Sequence, residues 1–235
     1  MEELRQMCPD PDVWSMEYEC LFQDEYGAWL SPEDLLFEDV DPSWKGPWWL
    51  GLDVGAKRDA SGLVQAYQQG GRLVFADLAY MRNTSFEDQF QTVKSLGREK
   101  NIVAGFVDEV GIGFGLAERI NREISARIKG FTWTASNKTE AYELFKSDAI
   151  QRRLVFPKTC EDMIRAELSL VQKIVTPDGK VKYASKRASL GHGDIASGMV
   201  LAHQAWRSMP LNAAFPAEAR FASAFRPLPF AGVFG

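Results

Sequence analysis

The sequence predicts an α/β fold in which a mixed β-sheet is flanked by helices. Strand-like runs on both sides of Gln69-Gly70-Gly71 are typical of an antiparallel hairpin. The run from Ile102 to Val107 is short and wholly apolar, as expected for a strand that helices cover on both faces. Helical and strand patterns then alternate along most of the remaining chain.

Three strands and one helix account for the first half of the predicted sheet. Trp48 to Val54, Gly62 to Gln68 and Leu73 to Tyr80 have the composition of strands. Ser85 is a suitable N-cap for a helix that runs to about Lys100. In a mixed sheet of this order, the first and fourth strands are neighbours, so their carboxyl ends lie at the same edge.

The second half adds a fifth strand, more helices and a basic β-hairpin. Asn137 is a suitable cap for one helix, and a Pro-Asp-Gly sequence predicts the hairpin turn. The predicted elements are a helix at 114–126, a strand near 131–133, a helix at 139–151, a short edge strand at 153–156, a helix at 161–172, a hairpin at 174–183 and a helix at 193–207.

Charge and composition divide the chain into three segments. Residues 1–45 are an acidic lead-in with 13 acidic and 2 basic residues, with a possible short helix from Pro32 to Phe37. Residues 46–208 are the predicted core, and residues 209–235 are predicted to form an extended tail. Within the core, residues 129–187 hold 12 basic and 7 acidic residues, although the whole chain has a net charge of −5. A basic core surface fits a nucleic-acid partner, and it also fits an ordinary solvated face.

Several classes of protein are excluded by composition. A hydrophobic content of 46% and a charged content of 25% are ordinary for a soluble globular protein. No apolar stretch approaches the ~20 residues that a membrane helix needs, and we expect no secretory signal, because residues 1–5 lack a basic region followed by an apolar one. Cys8, Cys20 and Cys160 are scattered without zinc-site spacing, so we expect reduced thiols and a cytoplasmic location.

Three aspartates at the ends of predicted elements indicate a metal site. Asp53 closes the first strand, Asp108 closes the fourth, and Asp194 opens the last helix. Asp is rarely buried unless it is paired or bound to metal. Two carboxylates about 4 Å apart repel by roughly 4 kcal/mol at an effective dielectric of 20, and divalent cations would remove this cost. We therefore expect a carboxylate cage for Mg²⁺ or Mn²⁺, as used in phosphodiester cleavage.

Each aspartate also has a simpler explanation. Asp53 can be an ordinary strand-end residue in a turn that Asp59 braces. The helix dipole alone stabilises an acid such as Asp194 by roughly 0.3–1 kcal/mol. The small residues of the last helix nevertheless favour close packing on the sheet, which would bring Asp194 to the strand ends. His192 beside it can touch substrate or lie on the surface.

Two further features suit a nucleic-acid substrate but also have simpler explanations. The glycines from Gly111 to Gly115 do not match dinucleotide-binding spacing; they fit a tight loop that a DNA backbone can approach, or a flexible turn. Basic residues around the predicted hairpin can bind phosphates, or they can protect its edges against pairing. The candidate DNA-binding residues are Lys180, Lys182, Lys186 and Arg187.

These motifs, taken in order, resemble the nuclease domain of tailed-phage terminase large subunits, in particular the Mu-like type. The resemblance covers most of the chain from Val13 to Trp206. It rests on the stretch that begins at Trp14, on Gly51-Leu52-Asp53, on the run from Phe106 to Gly113, and on Gly191-His192-Gly193-Asp194 with the small-residue helix that follows.

The resemblance implies an RNase H-like five-stranded mixed sheet and a two-metal endonuclease that cuts double-stranded viral DNA for packaging. Asp53 would bridge two Mg²⁺ or Mn²⁺ ions, while Asp108 and Asp194 would each complete one site. The implied partners are DNA, a terminase ATPase domain or subunit, the small terminase subunit and the portal, in the host cytoplasm. The hairpin around Lys180 would face the DNA.

Two departures from the family pattern leave alternatives open. The sequence has no GxxxxGK[ST] motif, so we expect an isolated nuclease domain or a split subunit. Glu109 follows Asp108 directly, and strand alternation favours Asp108 as the ligand. The alternative functions are a junction resolvase of the same fold, an actin-like sugar kinase or ATPase suggested by Asp53-Val54-Gly55, and a non-catalytic DNA-packaging scaffold.

Overall fold

A computed structural model of the protein describes residues 29–55, 60–111, 113–176, 179–185 and 193–209. Within these ranges, no helix has the length and apolar character needed to span a bilayer. Nine strands are described: β1 (Phe37–Glu38), β2 (Pro47–Asp53), β3 (Ser61–Gln69), β4 (Arg72–Met81), β5 (Asn101–Asp108), β6 (Ile128–Phe131), β7 (Leu154–Pro157), β8 (Val171–Val175) and β9 (Val181–Ser185).

The central sheet has seven strands in the order β1-β7-β4-β3-β2-β5-β6. β3 is antiparallel to both β2 and β4, whereas β5 runs parallel to β2 and β6 runs parallel to β5. Strands β8 and β9 form a separate antiparallel hairpin. The described helices are α1 (Phe86–Glu99), α2 (Gly113–Glu123), α3 (Ala135–Ile150), α4 (Glu161–Ser169) and α5 (Asp194–Ser208), with 3₁₀ turns at Pro32–Asp34 and Lys158–Cys160.

The predicted fold class is confirmed, and the sheet is larger than predicted. The inner order β4-β3-β2-β5-β6 contains the five strands expected from the sequence, and the fold is RNase H-like. β7 was predicted as an edge strand, but β1 pairs with it in parallel through Phe37 and Phe156. A strand of two residues is too short to show the period-two alternation on which the prediction relied.

Several element boundaries differ from the prediction for identifiable reasons. Thr134, rather than Asn137, caps α3: its side chain accepts a hydrogen bond from the Asn137 amide, and the Asn137 side chain accepts one from the Thr134 amide. Asn137 is therefore the third residue of the helix. The fifth strand lies at Ile128–Phe131, earlier than expected, and α4 ends at Ser169 because β8 begins two residues later. The expected helix at 32–37 is one 3₁₀ turn.

Helix α5 lies directly against the sheet because glycines remove side chains from the contact. A Cβ atom at Gly51 on β2 would overlap the backbone of Gly198 and Ala202. A Cβ atom at Gly62 on β3 would overlap the carbonyl group of Asp194. The predicted close approach of this helix is therefore observed, and it places the first residue of α5 beside the strand ends.

The described part of the acidic lead-in packs on the core. Trp29 is buried, donates its indole N–H to the Tyr142 carbonyl oxygen at 3.2 Å, and has its ring centroid 5.0 Å from that of Phe145. Residues 1–28 and 210–235 lie outside the described residues, so the division at 45 and 208 stays a prediction. Cys160 is half-buried and forms no disulfide within the described residues, which include neither Cys8 nor Cys20.

Candidate metal centre

Asp53 and Asp108 meet at one edge of the sheet. Strands β2 and β5 are parallel, and Leu52 lies opposite Val107, so that each strand ends with its aspartate at the same level. The two carboxyl groups lie close enough to shift each other's pKa. The first and fourth strands are thus neighbours, as the sequence predicted.

The electrostatic setting of Asp53 is unfavourable for its charged form. Burial raises the pKa of Asp53 well above its ordinary value, and the negative charges of Asp108 and Asp194 raise it further. A hydrogen bond from the Ser197 hydroxyl opposes this shift. The residue retains partial exposure to solvent, so an ion from solution can reach it.

Asp194 approaches the same edge from the helix side. It is the first residue of α5 and is only 7% exposed. Its carbonyl group lies against Gly62, and Gly62 is the cross-strand partner of Asp53. Backbone contact and charge interaction therefore both place Asp194 beside Asp53, on an element 141 residues later in the sequence.

The donor set fits a hard divalent cation. Carboxylate oxygens are the ligands that Mg²⁺ and related ions prefer, and a cation would relieve the repulsion that raises the pKa of Asp53. Across the described ranges, no three His, Cys, Asp or Glu side chains already form a closed ligand group. The three aspartates approach one another without a finished coordination geometry, so binding requires side-chain rotation.

Asp108 is held by its own loop. The Val110 amide donates to its Oδ1 at 2.8 Å. Burial raises the pKa of Asp108, while the Val110 hydrogen bond and the positive charge of Lys138 oppose the increase. Gly113, at the start of α2, would place a Cβ atom in the Asp108 carbonyl oxygen, so this glycine brings a helix close to the strand end. Ile112, within the glycine loop, lies outside the described residues.

Glu109 turns away from the other acids. Its Oε1 accepts a hydrogen bond from the Thr132 hydroxyl, and its carboxylate lies beside Gly130 on β6. There it lines an open cleft of about 450 Å³ together with Phe114 and Lys129. Glu109 thus contacts residues of β6 and the turn after it, and the choice of Asp108 over Glu109 as a ligand stays a prediction.

Three residues near the acids were missed by sequence reasoning. The Ser197 hydroxyl forms a hydrogen bond with Asp53, and the Tyr142 hydroxyl lies 3.3 Å from the Ser197 hydroxyl. Lys138, in the first turn of α3, contributes positive charge at Asp108 and has its Nζ 5.7 Å from the centroid of the Tyr142 ring. Ser197 could have been found, because it lies three residues after Asp194 on the same helix face. Nothing local marks Tyr142 or Lys138.

The β8–β9 hairpin packs on α3 and carries exposed lysines. The Thr139 hydroxyl donates to the Val181 carbonyl oxygen at 3.0 Å, and the Tyr183 hydroxyl donates to Glu143 at 2.5 Å. Lys180 and Lys182 are exposed. The other sequence-predicted positions in this region, namely Lys186, Arg187 and His192, lie outside the described residues, as does Asp59.

Comparison with solved structures identifies the fold. No family model matches the sequence, and no curated protein matches it either. The large terminase nuclease of thermophilic phage G20c, solved with bound magnesium, superposes with a TM-score of 0.60 at 19% identity, covering 76% of this chain and 97% of that one. The large terminase nuclease domain of bacteriophage SPP1, solved with bound manganese, gives 0.52 at 15% identity, covering 78% and 99%.

A longer structure is also similar. The large terminase of another thermophilic bacteriophage superposes with a TM-score of 0.57 at 10% identity, covering 77% of this chain and 44% of that one. This chain therefore has the fold of the nuclease domain of phage large terminases.

Proposed function

We propose that this protein is a divalent-metal-dependent endonuclease that cuts double-stranded DNA during phage genome packaging. The observation that carries the proposal is the convergence of Asp53 and Asp108 at one edge of the sheet, with Asp194 beside them at the start of α5. Carboxylates so placed repel unless a proton or a metal ion lies between them. The shared fold with phage terminase nucleases, some solved with magnesium or manganese, supports the same assignment.

In this proposal Asp53, Asp108 and Asp194 hold two Mg²⁺ or Mn²⁺ ions. Such ions, when bound, activate a water molecule for in-line attack at phosphorus and stabilise the leaving 3′ oxygen. The protein's own contribution is to orient the three carboxylates. The Ser197 hydroxyl holds Asp53, and the Val110 amide holds Asp108. The positive charge of Lys138 lies on the same side, where a DNA phosphate would arrive.

The hairpin is the proposed DNA contact. Its exposed Lys180 and Lys182 stand on an element that packs against α3, and the first turn of α3 carries Lys138 beside Asp108. This places basic side chains on elements that adjoin the acids. Lys186 and Arg187 are proposed to extend the same surface.

The comparison with a longer terminase supports one of the proposed partners, an ATPase domain or subunit. That large terminase was also solved in complex with ADP, and this chain covers 44% of it. We propose that this protein acts with a terminase ATPase domain or subunit, with the small terminase subunit and the portal, in the host cytoplasm.

The test is cleavage of plasmid DNA by the purified protein with Mg²⁺ or Mn²⁺. Asp53→Asn, Asp108→Asn and Asp194→Asn should each abolish nicking and leave the fold intact. Asp162→Asn, on the exposed side of α4, is the matched control and should cleave normally. Full activity in any of the three variants would remove that residue from the site. Preference for four-way junctions over linear duplex would instead identify a resolvase.

DNA contact by the hairpin is tested by salt dependence. Lys182→Glu should weaken DNA binding and reduce the slope of log K against log salt by about one unit, because one phosphate contact is lost. Lys94→Glu is the control, since Lys94 lies on α1 over the ring of Phe90, and Phe90 belongs to a different core cluster from the residues of α5. An unchanged slope in Lys182→Glu would place the hairpin away from DNA.

A further inference from the structure

The N-terminus of α5 lacks the usual cap from its own sequence. The first amides of a helix have no partner within the helix, and a Ser, Thr, Asp or Asn side chain at the N-cap normally accepts from them. Here the N-cap is Gly193, whose φ is 80° and which offers no side chain. The first turn of the helix that carries Asp194 must therefore be satisfied from elsewhere.

Glu167 supplies the missing acceptor from a different helix. Its Oε2 accepts from the Ile195 amide at 2.8 Å and from the Ala196 amide at 3.3 Å. Glu167 belongs to α4 and is 2% exposed. The Tyr80 hydroxyl of β4 donates a hydrogen bond to the same carboxylate. With three donors from two other elements, the buried Glu167 carboxyl group is held in one position.

We infer that Glu167 is a positioning residue that fixes the first turn of α5, and with it Asp194, for metal binding. The inference rests on the proposed metal centre. The two amides that Glu167 binds belong to the residues immediately after Asp194, so movement of this turn moves the Asp194 carboxylate. Contacts of Gly198 and Ala202 with the sheet hold the helix further along. Loss of Glu167 therefore affects the first turn more than the rest of α5.

The test is direct Mn²⁺ binding, measured by electron paramagnetic resonance on the 235-residue chain. Glu167→Met keeps the buried volume but removes the acceptor, and it should weaken Mn²⁺ binding about tenfold, at the lower end of the effect of outer-shell residues. Glu167→Gln keeps an acceptor oxygen and should restore most of the affinity. Ile164→Ala, buried on the same helix, is the control for general destabilisation and should leave Mn²⁺ affinity unchanged.

Three results would overturn the inference alone: equal Mn²⁺ affinity in the wild-type protein and Glu167→Met, equal losses in Glu167→Met and Ile164→Ala, or a loss in Glu167→Gln as large as in Glu167→Met. The last of these would indicate a role for the charge rather than for the cap. Absence of both Mn²⁺ binding and cleavage in the wild-type protein would overturn the proposed function, and this inference with it.

Discussion

Two acidic sites in this molecule, one at Asp148 and one at Asp53, are balanced in opposite ways. Asp148 on α3 accepts hydrogen bonds from three partners: Arg153 at 2.9 Å, Arg207 at 2.7 Å and His203 at 2.8 Å. Burial alone would raise the pKa of Asp148, but these partners outweigh it and the pKa is lowered. Asp53 instead faces Asp108 and Asp194, and its pKa is raised.

The difference distinguishes a structural carboxylate from one that awaits an external cation. The positive charge at Asp148 comes from arginine side chains of the same protein, so folding alone completes this site. At Asp53 burial raises the pKa most and the neighbouring acids raise it further, so neutralisation must come from a proton or from an ion in solution. Burial therefore does not identify a functional acid, whereas the identity of its neighbours does.

The largest effect should come from removing the structural acid. Asp148→Ala leaves Arg207, Arg153 and the buried His203 without their shared acceptor. We expect the free energy of unfolding to fall by about 2–4 kcal/mol, less than for a fully enclosed ion pair because both arginines are partly solvated. Urea denaturation measures this. A decrease in the free energy of unfolding below about 0.5 kcal/mol would contradict a structural role for Asp148.

The matching change at the candidate metal centre should affect ion binding rather than folding. Saturating Mn²⁺, at about 100 times its dissociation constant, should stabilise the wild-type protein by roughly 2.7 kcal/mol. Asp53→Asn should remove most of this gain and reduce cleavage by more than about 100-fold, since outer-shell changes alone cost 10–100-fold in comparable sites. Thermal unfolding with Mn²⁺ and with EDTA measures the gain. A variant stabilised as strongly as the wild type would contradict the ligand role of Asp53.

The histidine at the structural acid gives a predicted pH dependence. Burial lowers the pKa of His203 below its ordinary 6.5, although Asp148 opposes this. The unfolded state therefore binds a proton more readily than the folded state. Stability should be fully present above about pH 6.5 and should decline as the pH falls toward the folded pKa, by at most about 1.4 kcal/mol per pH unit. His203→Gln should flatten the slope between pH 5 and 7 in urea titrations. If the dependence of stability on pH is unchanged in this variant, groups other than His203 cause it.

The smallest effect is expected at Lys138. If this lysine neutralised Asp108 as the arginines neutralise Asp148, Lys138→Met would cost several kcal/mol of stability. Because Lys138 is half-exposed, we expect a change of about 0.5 kcal/mol or less. Cleavage should fall more clearly than stability does. Lys146→Met, two turns later on α3, is the control, and equal behaviour of the two variants would place Lys138 outside the site.

Periodicity and element ends were enough to predict the inner sheet and the position of Asp53 and Asp108 at one edge of it. The proximity of Asp53 and Asp108 could be predicted because neighbouring parallel strands end at the same edge of a sheet, which depends only on strand order and direction. The small residues of α5 indicated its close approach. The strand at Phe37–Glu38 could not be predicted, because its pairing with β7 joins residues about 120 positions apart.

The supporting contacts at the candidate site were beyond the sequence for a similar reason. Glu167 caps a helix 28 residues away, and Tyr142 reaches Ser197 across 55 residues. Neither contact has a local sequence pattern. The sequence between the two partners predicts helices and strands, but it does not predict how those elements pack against one another. Thr134 was missed as a cap although Asn137, its partner in the capping box, was noticed.

The missing side chain at Gly62 makes the candidate site sensitive to a change that carries no charge. A single methyl group there would act as a wedge between β3 and the start of α5, because a Cβ atom overlaps the Asp194 carbonyl group. An alanine at this position would lift one acid away from the other two while every ligand candidate stayed chemically intact. The close approach of Asp194 to the other two acids thus depends on the absence of a side chain at Gly62, and a larger residue there would disturb the site through bulk alone.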